Sequence, residues 1–495
     1  MLPLRSALIR TAALATAVAA VSSCGLRVDS SLREKGIRGA TGQGTASSVQ
    51  GSTTGGPSSD STTTGVAVGP GTTTGSTPVT GGSTGSTTGS SGTTSGTATG
   101  STGVAPSAPP GGNGGATDKG VTATSISLGA VTTLSGPVPG LFSGDVYGAN
   151  AYLAYINSQG GIYGRQLKLE VADDQLDCGQ NRTQHLAQAD HVFGWVSSLS
   201  LYDNCGAPVL KSNPTMSEVS VSFTTALGGL PNAFSINPLS PGYRLGSFQY
   251  YKGLHPDMIT HSASLIGNIG SAVEIFKGIE AAAKSVGYSF VYTRNYSPGE
   301  TDFTADIIRM RNKGVQFLYF VSADSHTIAK VLNAAQQQQW HPTMIAVGAG
   351  DAAYDPSFIA EAGAAANGVF ADQPHAAFFN PADAAIPGVA LYQKWMKQTG
   401  QQAHEDLYSA WGWGSAMLAV QALQKAGPQL TRKGFLAALK TIHTFDGQGM
   451  FAKADPAGKG PNSCYVVLDI VNGAWHRKDT PATGFRCGAF YHYKG

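Results

Sequence analysis

The segment FLYFVSADSHTIAKVLNAAQQQQWHPTMIAV, residues 317–347, is the clearest indication of the fold. It begins with the apolar run 317–321, continues with a helical pattern at 327–339 and ends with a second apolar run at 344–347. Continuous apolar strands on either side of a helix are typical of parallel sheets that helices cover on both faces. The stretch therefore predicts a strand–helix–strand unit of an α/β protein.

The same alternation of predicted strands and helices extends along the chain in both directions. Apolar or alternating runs predict further strands at 126–131, 167–171, 192–196, 261–266 and 290–292. Helical patterns predict helices at 144–158, up to about 213, at 272–286 and at 304–312. Two such series predict two doubly wound lobes with parallel sheets, and ligands of such folds bind beyond the carboxyl ends of the strands.

The residues before this region have a different composition. The chain has 65 glycines among 495 residues, and the segment 39–117 consists mainly of Gly, Ser and Thr. A segment with so few apolar residues cannot bury a core, so residues 25–117 are predicted to be a disordered tether. A glycosylated stalk fits the same composition equally well.

The first 24 residues have the features of an export signal. Two arginines precede a small, apolar run at 11–21, which is too short to span a bilayer. The run ends in VSSC at 21–24, which resembles the bacterial lipobox, whose cysteine is lipidated. This resemblance implies a lipid anchor at Cys24, on the extracytoplasmic face of the cell membrane. The alternative is ordinary cleavage near Ser23, which leaves a plain thiol.

The five cysteines fall into one residue near the N-terminus and two local pairs. An odd count in an exported chain fits one modified cysteine, Cys24, and two disulfides, Cys178–Cys205 and Cys464–Cys487. The alternative is a set of free, buried thiols. None of the five lies in a CxxC or Cys/His cluster, so no metal site is predicted.

The sequence carries no signature of a catalytic or nucleic-acid-binding protein. HExxH, GxSxG, P-loop and dinucleotide-binding glycine motifs are absent. Nothing places two acidic side chains at the separation that a glycosidase requires. The formal net charge is only +2, so the composition does not indicate the strongly basic surface that binds nucleic acid. We therefore expect a protein without catalytic residues and without a cofactor.

Five segments resemble the type I periplasmic binding proteins, most closely the branched-chain amino acid and amide receptors. They are ISLGAVTTLSGP at 126–137, YINSQGGIYG at 155–164, VADD at 171–174, YSPGETDF at 296–303 and LYSAW at 407–411. The order and spacing of the segments carry the resemblance, which covers about residues 125–475.

The resemblance implies two lobes that are joined by three crossovers and close on a solute. Lobe one is expected at 118–238 plus about 371–445, and lobe two at 239–370 plus about 446–495. The implied function is capture of a small polar solute, an amino acid or amide, for the permease and ATPase of an ABC importer. The alternatives are a ligand-sensing module and a cell-envelope interaction module of the same fold.

In lobe one, the resemblance assigns serines after three strands to the ligand. Ser135 lies in the loop after the first strand. Ser197 and Ser198 match a loop that supplies a hydroxyl and backbone N–H groups to a ligand carboxylate. Their alternative role is a polar loop that caps the next helix. Ser220 and Ser222 match the following loop, which makes backbone contacts in the family.

In lobe two, the assigned residues are mostly acidic. Glu300 matches the carboxylate that holds a ligand ammonium, and its alternative is a solvated turn residue. Asn268 stands where branched-chain receptors carry an aromatic wall. Asp324 and Asp351 follow strand ends and favour a cationic or polyhydroxylated ligand, unless they are interlobe or helix-cap groups.

Overall fold

The computed structural model describes residues 107–238, 242–348, 352–460, 462–478 and 481–493. The predicted export signal, the predicted lipidation site Cys24 and the predicted tether as far as residue 106 lie outside the described residues. No helix within the described ranges is both long enough and apolar enough to cross a membrane.

The first sheet consists of five parallel strands. They are β1 (Ser125–Thr132), β2 (Gln166–Asp173), β3 (Trp195–Val196), β4 (Glu218–Val219) and β5 (Ala233–Phe234), in the order β2-β1-β3-β4-β5. The helices between them are α1 (Ser143–Ser158), α2 (Cys178–Ala189), α3 (Asp203–Ser212) and α4 (Thr225–Gly228). Strand β1 is buried without interruption from Leu128 to Thr132, as expected for a strand covered on both faces.

The second sheet is larger and mixed. Its strands are β7 (Ser262–Gly267), β8 (Phe290–Tyr296), β9 (Phe317–Val321), β10 (Met344–Gly348), β11 (Val369–Gln373), β12 (Cys464–Val471), β13 (Ala474–Arg477) and β14 (Arg486–Cys487). The order is β13-β12-β11-β10-β9-β7-β8, and β14 pairs with β12. Strands β7–β11 are mutually parallel, whereas β12 runs antiparallel to β11. A separate two-stranded sheet joins β6 (Gly242–Arg244) to β15 (Phe490–His492).

The helices of the second half divide between the lobes. Helices α5 (Gly246–Leu254), α6 (Gly270–Ser285), α7 (Thr304–Asn312), α8 (Ser325–Gln337) and α9 (Pro356–Ala362) accompany the second sheet. Helices α10 (Pro387–Gln398), α11 (Leu407–Ala426) and α12 (Arg432–Leu439) follow β11, and α11 packs along α1 of the first lobe. Short 3₁₀ helices lie at Pro256–His261, Gly363–Ala366 and Gln402–His404.

The chain therefore passes between the lobes three times, after β5, after β11 and before β12. This architecture confirms the predicted fold class of two α/β lobes with parallel-dominated sheets and three crossovers.

Two strand predictions differ from the structure. The strand predicted at 192–196 is only Trp195–Val196. The strand predicted at 290–292 extends to Tyr296. Among the described strands, β8 pairs only with β7 and so lies at the edge of the sheet, where Arg294 and Asn295 can keep their polar side chains outside the core. An alternating edge strand lacks the continuous apolar run on which the prediction depended.

Asn113 and Gly115, at the C-terminal end of the predicted tether, contact the first lobe. The guanidinium of buried Arg165 donates to the carbonyl oxygens of Asn113 and Gly115, at 2.5 and 2.9 Å. The amide of Asn113 donates in turn to the carbonyl oxygen of Tyr163 at 2.9 Å. These contacts thus involve residues of the predicted tether. Strand β11 ends at Gln373, close to the lobe boundary expected at about 371.

Both predicted disulfides are present. Cys178–Cys205 joins the first residue of α2 to α3, with Cα atoms 5.4 Å apart. Cys464–Cys487 joins β12 to β14, where the two residues are register partners. The first disulfide lies in lobe one and the second in lobe two, so each lobe carries its own covalent link.

Replacing Cys178 and Cys205 together by serine is expected to lower the free energy of unfolding by about 3 kcal/mol, since the crosslink restricts the unfolded chain. The Cys464→Ser/Cys487→Ser variant is the matched control, because its sequence separation is 23 residues against 27. Chemical denaturation of both variants measures the loss. If the free energy of unfolding fell by less than 1 kcal/mol in the Cys178→Ser/Cys205→Ser variant alone, restriction of the unfolded chain would not be the main effect of that disulfide.

Candidate functional site

A cleft with about 790 Å³ of empty space, part of it open to solvent, lies where the carboxyl ends of strands from both sheets meet and is here called the cleft cavity. Loops of lobe one contribute Val138, Leu141, Phe142, Leu176, Leu201 and Phe223. The ends of β7 and β8 and helix α6 contribute Gly267, Ile269, Ala272, Ile275, Tyr296 and Pro298. The ends of β9 and β10 contribute Ser322, Ala323, Asp324, Val347, Gly348 and Ala352, and helix α11 adds Tyr408 and Trp411.

The lining of the cleft cavity is predominantly apolar. Apart from its two tyrosines and the indole N–H of Trp411, its only polar side-chain groups among the described residues belong to Ser322 and Asp324. Burial raises the pKa of Tyr296 and Tyr408 above the ordinary value, so both phenols are neutral at physiological pH. The described part of the lining contains no cationic side chain. The cavity is therefore suited to a solute with an apolar body.

An aromatic cluster forms the lobe-one side of the cleft cavity. The ring of Phe142 stacks on Phe223 at 5.6 Å between centroids and meets Tyr408 edge-on at 5.0 Å. Trp411 lies 6.2 Å from Phe223. Branched-chain receptors carry their aromatic wall at the position of Asn268, where this chain has no aromatic residue, and sequence reasoning did not predict this cluster. Its signal was available, because Phe142 and Phe223 are large apolar residues in loops.

Two serines at corresponding strand ends have left-handed backbone conformations. Ser197 follows β3 with φ of 59°, and Ser322 follows β9 with φ of 51°. Non-glycine residues adopt positive φ at a cost of order 1–3 kcal/mol, and such positions cluster at functional sites. In both lobes the chain thus turns sharply at the strand end that faces the cleft.

Among the predicted ligand residues that the structure describes, Asp324 is the one that lines the cleft cavity. Its carboxylate also caps helix α8, accepting from the backbone N–H and the hydroxyl of Thr327 at 2.9 and 2.6 Å. The helix-cap role that the sequence left open is therefore present.

The described residues contain no group of three His, Cys, Asp or Glu side chains suited to a metal ion.

Most of the predicted serines of lobe one bond to the protein itself. The Ser135 hydroxyl donates to Asp173 at 2.5 Å, and the Ser197 hydroxyl donates to the carbonyl oxygen of Gly412 at 3.1 Å. The Ser198 hydroxyl accepts from the backbone N–H of Val131 at 3.2 Å. None of these three serines lines the cleft cavity.

Glu218, which no motif assigns, lies behind the predicted ligand loops. It is fully buried on β4 and accepts a hydrogen bond from the hydroxyl of Ser220 at 3.1 Å. Burial raises the pKa of Glu218 to about 7. His185 lies 4.0 Å from its second carboxyl oxygen, and burial lowers the pKa of this imidazole to about 4. The imidazole of His185 is therefore neutral at physiological pH, and the hydroxyl of Ser220 bonds to Glu218 rather than facing the cleft cavity.

Glu300 does not face the cleft cavity. Its carboxylate forms a bidentate pair with Arg294, at 2.6 and 3.2 Å, and accepts from the backbone N–H of Ser297. The Arg294 guanidinium holds the pKa of Glu300 below its usual range. The predicted partner of a ligand ammonium is thus occupied by an arginine, which also pairs with Asp306 at 2.6 Å.

Three predicted ligand residues remain, Asn268, Asp351 and Ser222, and each has a different position. Asn268 is exposed, although its neighbours Gly267 and Ile269 line the cleft cavity. Asp351 lies outside the described residues. Ser222 is buried and lines a second space of about 820 Å³, part of it open to solvent, which is here called the hinge cavity. Residues of all three crossovers bound it.

The whole two-lobed region matches known proteins. A family model described as periplasmic binding protein matches residues 125–474. No curated protein matches the chain significantly in sequence. The fatty acid ABC transporter substrate-binding protein from Thermomonospora curvata superimposes with a TM-score of 0.63 at 19% identity, over 77% of this chain and 96% of that chain.

Two further solved structures are similar. A branched-chain amino acid ABC transporter protein from Thermus thermophilus with bound valine has a TM-score of 0.63 at 16% identity, over 74% of this chain and 97% of that chain. The leucine binding protein from Thermotoga maritima has a TM-score of 0.59 at 14% identity, over 72% and 98%. At these identities the similarity establishes the fold alone. None of the three is named as an enzyme.

Proposed function

Because the chain belongs to the type I periplasmic binding protein family, whose members are extracytoplasmic solute receptors and not enzymes, we propose that it captures a solute between its lobes for an ABC importer. The partners under this proposal are a permease and an ATPase. The observation that carries it is the cleft cavity, because strand ends of both sheets line one space. A solute that contacts both lobes stabilises the closed form relative to the open form.

The proposed solute has an apolar body, in place of the small polar solute that the sequence predicts. The apolar lining of the cleft cavity supports this change. The neighbours named for fatty acid and for bound valine are compatible with it, since both solutes combine an apolar part with a polar head. Burial of apolar solute surface contributes roughly 25 cal/mol per Å².

Anchoring is part of the same proposal. Lipidation of Cys24 would hold the receptor on the extracytoplasmic face of the cell membrane. The Gly/Ser/Thr-rich segment would act as a spacer between that anchor and the first lobe, with a typical span of roughly 50 Å if it behaves as a Gly-rich coil. Globomycin treatment of cells, followed by fractionation and mass spectrometry of the mature N-terminus, tests this part.

A thermal-shift screen tests the capture of an apolar-bodied solute. The panel contains amino acids, amides, aliphatic and aromatic acids, polyamines and sugars. A solute at 100 times its dissociation constant is expected to raise the free energy of unfolding by about 2.7 kcal/mol. The Val138→Trp variant should weaken binding of that solute at least tenfold, because Val138 is a partly exposed residue of the cleft cavity and the indole fills the space.

The matched control is Val471→Trp, which makes the same change at an exposed valine at the end of β12. It should bind the solute as the unmodified protein does. If Val138→Trp and Val471→Trp bound the solute with equal affinity, the solute would not occupy the cleft cavity. Stabilisation by sugars or polyamines alone would contradict the apolar-bodied solute, and a panel without any stabilising solute would contradict the capture function.

A further inference from the structure

The cleft cavity lacks side chains that would hold an anionic head group. Its described lining contains no arginine, lysine or histidine. The serines that the resemblance assigns to a ligand carboxylate, Ser197 and Ser198, bond to the protein and lie outside this lining. A carboxylate that entered the cavity would lose hydration without gaining a charged partner, which is costly. The cavity therefore disfavours an acid as its solute.

The charge that the described lining does contain is negative. Asp324, in the loop between β9 and α8, is a partly buried residue of the cavity wall. Burial raises the pKa of Tyr296 and Tyr408, and the nearby carboxylate of Asp324 raises both pKa values further. Both phenols of the cavity thus lie within the electrostatic field of this carboxylate. A cleft whose charge has one sign attracts solutes of the opposite sign, here cations.

The carboxylate of Asp324 has capacity left for a solute. Within the described residues it forms no salt bridge, and the two hydrogen bonds that it accepts both come from Thr327, on the helix that it caps. A carboxylate has about four acceptor sites. Its negative charge is therefore not neutralised by a basic side chain of the described part of the chain. A cation beside it needs no hydrogen bond, because charge attraction alone suffices.

Aromatic rings line the same space from both lobes. The aromatic cluster of lobe one has neighbouring ring centroids 5.0 to 6.2 Å apart, and Tyr296 lines the cavity from lobe two. The negative face of an aromatic ring attracts a cation that lies within about 6 Å of its centroid. A nitrogen that carries alkyl groups suits such a wall better than a primary ammonium, whose three N–H donors each need an acceptor.

We propose that the cleft cavity binds an organic cation, a quaternary ammonium with an apolar body, whose charged nitrogen lies between the aromatic cluster and Asp324. This inference rests on the proposed capture function and names the substrate class. The aromatic cluster belongs to lobe one and Asp324 to lobe two, so the cation contacts both lobes. Its charge then favours the closed form, because only closure brings the rings and the carboxylate around it together.

A matched series of solutes tests the charge of the head group. Benzyltrimethylammonium, benzylamine, benzyl alcohol and phenylacetate share a phenyl ring, and hexyltrimethylammonium, hexylamine, hexan-1-ol and hexanoate repeat the comparison on an aliphatic body. Isothermal titration of the folded receptor is expected to show at least tenfold tighter binding of the quaternary ammonium than of the alcohol and the carboxylate with the same body. Tightest binding of the primary amine would overturn the quaternary class.

The Asp324→Asn variant tests the carboxylate. It removes the negative charge but keeps the cap of α8, because asparagine and aspartate are similarly good N-caps. The affinity for the quaternary ammonium is expected to fall at least fivefold, while the affinity for the alcohol stays the same. An unchanged affinity for the quaternary ammonium would overturn the proposal.

The matched control for this variant is Asp257→Asn. Asp257 is exposed and lies in the 3₁₀ helix that precedes β7, whereas the cleft cavity lies at the carboxyl end of that strand. Asp257→Asn should bind both solutes as the unmodified protein does. If it lost as much affinity for the quaternary ammonium as Asp324→Asn, the general charge of the protein would explain the effect, and the site at Asp324 would be wrong.

The Phe223→Leu variant tests the aromatic side, and it also serves if Asp324→Asn does not fold. Leucine keeps an apolar side chain at this partly buried position and removes the ring. The affinity for the quaternary ammonium is expected to fall at least fivefold and that for the alcohol less than twofold, since only the cation gains from the ring face. Equal losses for both solutes would overturn binding of the cation at the aromatic cluster.

Other outcomes separate this inference from the function on which it rests. Solutes that bind without any preference for the quaternary ammonium, or with the carboxylate bound most tightly, overturn the cationic substrate class and leave solute capture intact. Absence of binding by every solute in this series and in the thermal-shift panel counts against solute capture itself.

Discussion

Replacing Arg165 by methionine is expected to lower the free energy of unfolding by about 4 kcal/mol. The side chain is fully buried, and its partners are backbone carbonyl oxygens. The guanidinium donates to the carbonyls of Thr122 at 2.7 Å and Pro428 at 3.0 Å, as well as to those of Asn113 and Gly115. A buried carbonyl that loses its donor costs about 1–3 kcal/mol, and several lose it at once.

Arg165→Met is the informative substitution because methionine keeps much of the apolar volume and removes only the donors. The matched control is Arg182→Met on the exposed side of α2, which should change stability by less than about 0.5 kcal/mol. Urea denaturation measures both. An Arg165→Met protein as stable as the control would mean that water replaces the guanidinium at all of its carbonyl partners.

The burial of Arg165 is a feature that the sequence alone does not predict. Arg165 follows a glycine-rich turn, and an arginine in that context is normally exposed. Only the three-dimensional structure reveals that residues from the predicted tether and from the loop after α11 converge on it.

The fold itself was predictable because its signals are periodic and local. The unit at 317–347 was predicted nearly as the structure has it, since β9 and β10 are continuous apolar runs. Strands β3, β4 and β5 have only two residues each and carry no detectable period. Their neighbours in the sheet hold them in place, so tertiary contacts rather than local pattern define them.

The candidate site was less predictable, because a residue type does not specify its partners. Ser197 and Ser198 occupy the expected loop, yet their hydroxyls bond to the backbone. Glu300 occupies its expected turn, yet Arg294 takes its carboxylate. The resemblance thus predicted where these residues lie in the fold but not their hydrogen-bond partners. Apolar loop residues such as Phe223, to which the resemblance assigns no role, indicate the chemistry of the cleft cavity more directly.

Replacing Gly148 and Gly412 together by alanine is expected to destabilise the protein by about 4 kcal/mol and to weaken solute binding. These glycines let α1 and α11 pack backbone to backbone. A Cβ atom at Gly148 would lie 1.8 Å from the carbonyl oxygen of Ser409, and one at Gly412 would lie 1.8 Å from that of Asp145. Overpacking costs about 1–3 kcal/mol at one site, and here two backbone contacts are forced apart.

Gly253→Ala is the matched control, because a Cβ atom at this exposed glycine of α5 would meet no heavy atom within 4 Å. Alanine there should stabilise the protein by about 0.5–1 kcal/mol, through helix propensity alone. Equal stability of this control and the double variant would contradict the close packing of α1 on α11.

The effect on solute binding follows from what the two helices carry. Phe142 immediately precedes α1, and Tyr408 and Trp411 lie on α11. Separating the helices moves Phe142 away from Tyr408, which it now meets at 5.0 Å, and so opens the aromatic side of the cleft cavity. Titration of the folded double variant with the best apolar-bodied solute should therefore show weaker binding. An unchanged affinity would mean that the aromatic cluster does not contact the solute.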